Sequence, residues 1–136
     1  MLGNRGTIAL RLFLVIAVVG GFVALALADE HTKDSLTTIK TALAGKTAVL
    51  VDVREKVEWN KGHLQGAKLL PLSSLKEESK TAWQILPKDK AIYLHCASGN
   101  RCLKAAEILR KKGYDARPLK EGYKDLLKEG FPKAED

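Results

Sequence analysis

Between Leu36 and Phe131 the apolar positions switch between helical spacing and short continuous runs. Leu36, Ile39 and Leu43 recur at three- and four-residue intervals, which predicts a helix over 36–44 with Ser35 as its N-cap and Gly45 as its stop. Ala48 to Asp52 is a short apolar run rich in β-branched residues, the pattern of a strand buried on both faces. After a polar stretch through Trp59 and Gly62-His63, a second strand is expected over Ala67 to Leu70, closed by Pro71. A helix capped by Ser73 or Ser74 is expected to run to about Leu86, before Pro87. Ala91 to His95 reads as the third strand and Cys102 to Lys112 as the third long helix, with Gly113 ending it. Asp115 to Pro118 suits a short edge strand and Gly122 to Glu129 a closing helix. Strands separated by helices predict an α/β domain with a small parallel sheet covered by helices on both faces.

The first 28 residues follow another pattern. Arg5 and Arg11 are the only charged side chains before Asp29, and Leu12 to Ala28 is wholly uncharged. The run ends in Ala26-Leu27-Ala28, followed at once by polar residues. A basic start, an apolar stretch and a small-residue exit make up a secretory signal peptide. The alternative is an uncleaved membrane anchor, although Gly20-Gly21 weakens the run as a spanning helix. The expected organisation is therefore a signal peptide over 1–28, a polar lead-in over 29–34 and the folded domain over 35–136, working outside the cytoplasm.

Composition narrows the function. A chain of 136 residues allows one domain beyond the leader, and two cysteines are too few for a disulfide scaffold or a four-thiolate zinc site. The formal charge of +7 invites a nucleic-acid reading. Its lysines, however, are scattered among acids, and no nucleic-acid-binding motif is present. No nucleic-acid partner is expected, and the polar helix faces suit a monomer. Discounting Arg5 and Arg11 with the leader lowers the charge to +5, a mild attraction for small anions.

One turn carries the chemistry. His95-Cys96-Ala97-Ser98-Gly99-Asn100-Arg101 joins the third strand to the third long helix, the position where α/β sheets hold their ligands. A cysteine there meets backbone N–H groups and the positive end of a helix dipole, and both favour the thiolate. Gly99 lets the backbone turn inward, and Arg101 adds fixed positive charge, binding an anionic donor or anchoring its own loop. The opposing reading makes Cys96 a small buried hydrophobe.

From Ser35 to Pro132 the chain resembles a single-domain rhodanese, a sulfurtransferase. Three blocks carry the match: Val49-Leu-Val-Asp-Val-Arg-Glu55 with Glu58-Trp59 and Gly62-His-Leu-Gln-Gly-Ala67; Cys96-Ala-Ser-Gly-Asn-Arg101; and Gly122-Tyr123 through Gly130-Phe-Pro132. The resemblance implies the rhodanese fold and a Cys96 nucleophile that carries sulfur as a persulfide. With a leader attached, the chain is most similar to the periplasmic thiosulfate sulfurtransferases of the phage-shock type. It departs from the family in having Glu121-Gly122 where Gly-Gly is frequent, Leu126 where tryptophan is usual, and Cys102 where serine or another small residue is common.

The C-x4-R spacing from Cys96 to Arg101 favours a tight cradle for a persulfide, whereas the related phosphatases resemble C-x5-R. Ala97 to Arg101 would then hold the anionic sulfur. The implied partners are thiosulfate or another sulfane-sulfur donor and a thiol, cyanide or protein-thiol acceptor. No metal or organic cofactor is needed, and the membrane is a partner only if the leader is uncleaved. Asp52 and Arg54 are expected as a supporting ion pair, with Glu58 and His63 as structural braces. The helical wheel turns Cys102 towards the core, yet a curled loop would bring it near Cys96 as a redox partner. Two alternatives stay open: a non-catalytic anion- or partner-binding module, and a phosphatase or arsenate reductase on the same fold.

Overall fold

The structure, a computed structural model, describes residues 30–77 and 81–135. The expected leader over 1–28, Asp29, and residues 78–80 within the helix expected to Leu86 lie outside them. Four strands form one parallel sheet in the order β2-β1-β3-β4. They are β1 (Ala48–Asp52), β2 (Lys68–Leu69), β3 (Ala91–His95) and β4 (Asp115–Pro118). The chain winds outward from β1 to β2, then restarts on the other side of β1 with β3. This makes the β1–β3 junction a switch point, with Asp52 paired to His95 at its carboxyl end.

Helices cover both faces, as the pattern predicts. Even positions of β1 and odd positions of β3 point one way, so Ala48, Leu50 and Tyr93 pack with Ile39 of α1 (Leu36–Ala44) and Leu126 of α5 (Tyr123–Lys128). Val51, Ile92 and Leu94 face the opposite layer. There they meet Leu72 and Leu75 of α3 (Leu72–Lys76), together with Cys102, Ala105, Ala106 and Leu109 of α4 (Asn100–Lys111). The alanines let α4 lie close to the sheet. Ser35 caps α1 as expected, its hydroxyl accepting from Thr38 N–H at 3.1 Å.

Five expectations are corrected. The helix drawn from Ser73 to Leu86 is replaced by α3 and a separate 3₁₀ turn over Ala82–Ile85. Pro71, not a serine, stands at the N-cap of α3, its fixed φ suiting a helix start, and Glu77 already has extended backbone. The polar stretch through Trp59, for which the pattern predicts no element, contains α2 (Lys56–Asn60), started by Glu58 folding back to accept the Glu55 N–H at 3.0 Å. β2 keeps only Lys68 and Leu69 of the four residues expected. The helix expected from Cys102 begins two residues earlier, so Asn100 and Arg101 belong to α4.

The lead-in is also part of the fold. Thr32 N–H donates to the Pro118 carbonyl at 2.7 Å, lining the edge of β4. Asp34 accepts from the Tyr93 hydroxyl at 2.7 Å and from Arg117 Nη1 at 2.9 Å.

Candidate active site

Cys96 follows directly on β3 and shares the face of Ile92 and Leu94, which sends its side chain inward with no solvent exposure. Four residues later α4 begins, so the intervening loop curls around the sulfur. Gly99 makes the curl possible: its φ is +87°, and a methyl group there would lie 2.8 Å from the Lys120 carbonyl oxygen. Its N–H donates to Cys96 Sγ at 3.1 Å.

These donors decide the protonation state. Burial raises a thiol's pKa, yet Cys96 is held at about 5. The largest cause is the Cys102 thiol, followed by the backbone N–H groups of Cys102, Ser98 and Gly99. A value this low favours the thiolate at neutral pH. Cys102 carries the opposite shift: the Cys96 charge and burial hold it firmly protonated. Its Sγ also lies 3.0 and 3.1 Å from the Gly99 and Leu119 carbonyl oxygens, which compete with the Cys96 sulfur for its single proton. Both cysteines are free thiols, fully buried, and both touch Gly99.

The expected supporting residues gather around this loop. Arg54 donates from Nη2 to Asp52 Oδ2 at 2.7 Å and from Nε to Oδ1 at 3.0 Å, and reaches the Gly62 carbonyl at 2.8 Å. Its guanidinium lies 4.2 Å from the centre of the Tyr123 ring. Glu58 takes both terminal nitrogens of Arg101 at 2.7 Å, and the pairing holds its carboxyl at about 2. Arg101, expected among the donor-binding residues, links α4 to α2 through this pair. His63 stacks on Trp59, the ring centroids 3.6 Å apart. Ala97, Ser98 and Asn100 are exposed at the rim, while Gly99 is buried.

Three features were not foreseen. His95 is wholly buried beneath the site, its Nε2 without a hydrogen-bond partner among the described residues and 3.7 Å from Asp52 Oδ2, and burial lowers its pKa. Gly122 packs so tightly that a methyl group would sit 1.8 Å from the Ala97 carbonyl oxygen. Beside it, Tyr123 N–H donates to the Cys96 carbonyl at 2.9 Å. His31, from the lead-in, places Nε2 2.8 Å from the Gly99 carbonyl oxygen. Gly122 left a trace in the sequence as the glycine kept where a pair is frequent, and His95 as the first residue of the Cys96 turn; His31 left none.

A parallel sheet that delivers a buried cysteine into a tight loop at a helix start defines a class, the α/β domains with a cysteine at the strand-to-helix turn. Within that class the chain belongs to the rhodanese-like domain family, whose model matches residues 35–129. It is related to sulfurtransferases. A human single-domain sulfurtransferase, TSTD1, superposes with a TM-score of 0.60 at 31% identity, over 70% of this chain and 94% of that one. The uncharacterized protein YqhL of Bacillus subtilis is 32% identical over 116 residues, covering 82% of this chain and 89% of that protein. The probable adenylyltransferase/sulfurtransferase MoeZ of Mycobacterium tuberculosis is 36% identical over 80 residues, 58% of this chain but only 20% of its own length.

Proposed function

We propose that the protein is a thiosulfate sulfurtransferase working through a Cys96 persulfide. The observation that carries this reading is the Gly99 N–H directed at the buried Cys96 sulfur, in a loop whose donors lower the thiol's pKa to about 5. In the first step the thiolate attacks the outer sulfur of thiosulfate. A new S–S bond forms, the old one breaks, and sulfite leaves with the electron pair. In the second step a thiolate, cyanide or protein thiol attacks the outer sulfur of the persulfide, and Cys96 departs as the thiolate it began as. The backbone N–H groups around the loop stabilise negative sulfur in both steps.

Arg101 weighs against the phosphatase reading. A phosphatase of this design needs its loop arginine free to grip the phosphate in bidentate fashion, whereas here Glu58 takes both terminal nitrogens. In the same reading residues 1–28 export the domain, and the reaction takes place in the periplasm. The purified protein is expected to form thiocyanate from thiosulfate and cyanide, and Cys96→Ser to form none. Equal product from Cys96→Ser, or none from the wild type, would end the proposal.

A further inference from the structure

His31 precedes the family match by four residues, yet its ring reaches the catalytic loop. A carbonyl oxygen only accepts, so His31 Nε2 carries the proton in its 2.8 Å contact with Gly99. The neutral Nε2–H tautomer and the imidazolium both satisfy that contact. The segment bearing His31 is itself fixed: Thr32 is bonded to Pro118 of β4, and Asp34 to Tyr93 of β3 and Arg117 of β4. These strands frame the loop, so His31 approaches from a rigid base.

Gly99 is where such a hold matters. Glycine has the widest backbone freedom of any residue, and this one occupies a positive φ. Rotation about it would carry its N–H away from the Cys96 sulfur. Its carbonyl is restrained by two donors, His31 Nε2–H and the Cys102 thiol. The thiol's one proton is also claimed by Leu119 and by the Cys96 sulfur, so among the described residues His31 is the donor whose bond goes to Gly99 alone.

We propose that His31 is a positioning residue for the chemistry at Cys96, holding the Gly99 carbonyl so that the Gly99 N–H stays on the sulfur. The reaction named here rests on the sulfurtransferase reading; the effect on the thiolate does not.

The test uses the full chain, expressed and purified as its host processes it, as wild type, His31→Ala, His31→Phe and His31→Gln. Phenylalanine keeps the packing of a ring and removes the donor, while glutamine restores a donor. The thiolate is titrated by its absorbance at 240 nm, which needs no substrate, and thiocyanate formation is followed alongside. In the Ala and Phe variants the titration midpoint is expected to rise by about half a pH unit to one unit, the size of one lost neutral hydrogen bond. Their kcat/KM for thiosulfate at pH 6 falls about two- to fivefold as the thiolate fraction and its alignment decline. Glutamine recovers most of both.

A segment that only braced the fold would lower the melting temperature of the Phe variant and leave its titration at the wild-type midpoint. That result overturns the proposal, as does a Gln variant that titrates like Phe. Absence of thiocyanate from the wild type would overturn the sulfur-transfer reading alone, because the shift in titration judges His31 separately.

Discussion

Cys96 keeps its charge in a buried site because donors outweigh desolvation, and the largest of them is another cysteine. Removing that thiol leaves the burial cost in place and the thiolate less supported. Cys102→Ala is therefore expected to raise the Cys96 titration midpoint by about one to two units, the value of a hydrogen bond to a charged group. Cys102→Ser, which keeps a donor, is expected to shift it less; equal midpoints in wild type and Cys102→Ala would refute the assignment. The same thiolate links stability to pH. Its pKa is depressed on folding, so its stabilisation is present in full above the unfolded thiol's value of about 8.5 and is lost as pH falls through about 5. The urea midpoint of the wild type should gain on that of Cys96→Ala as pH rises from 5.5 to 8. Above that range the protonated Cys102 works in the opposite sense, since its thiol ionises only on unfolding. At this scale Cys96 was legible because its chemistry depends on a local turn. His31 was not, because its contact spans 68 residues and follows no periodicity.

Between elements, two contacts carry the geometry from the sheet to the loop. The first is the buried Asp52–Arg54 pair at the end of β1, which also ties Gly62 and Tyr123 to the site. Arg54→Ala would leave the Asp52 charge buried and unpaired, at an expected cost of about 3–5 kcal/mol in a urea unfolding curve. A loss below about 1 kcal/mol, the value of an exposed pair, would contradict that role. The second is Gly122, where α5 meets the catalytic loop. Its backbone angles suit any residue, so the constraint is space: a methyl group would overlap the Ala97 carbonyl. Gly122→Ala must displace the loop. A shift of about 1 Å in a reacting group costs on the order of a hundredfold in rate, while such overpacking costs about 1–3 kcal/mol in stability. Thiocyanate formation should therefore collapse in a variant that still unfolds cooperatively. The elements themselves divide by the strength of their signals. β1, β3 and α1 matched their patterns because continuous runs and a capped repeat encode them locally. α3 failed because Trp83 and Leu86 continue an apolar spacing that the backbone does not follow, and α2 was hidden because it is a short turn set by the Glu58 carboxylate on the Glu55 N–H, with no apolar stripe.

Over the whole molecule the sheet order places three functions at one end. Crossing from β2 back to β3 brings the Asp52–Arg54 pair, the Cys96 loop and the start of α5 together, which explains why motifs far apart in sequence converge. The fold class was legible from alternation alone, since buried parallel strands leave continuous apolar runs. The lead-in was not, for a polar segment signals neither strand nor helix, yet Thr32 and Asp34 fasten it to β4 and β3. This fastening bears on processing. Cleavage after Ala28 would leave Asp29 two residues ahead of His31, and a cut only a few residues later would remove the contact with Gly99. We therefore expect the mature protein to begin at Asp29, with its intact mass reporting the loss of residues 1–28 and its activity recovered from the periplasmic fraction. A chain of unprocessed mass held in the membrane fraction would establish the anchor instead. A mature start beyond His31 with an undiminished Cys96 titration would show that the lead-in is dispensable.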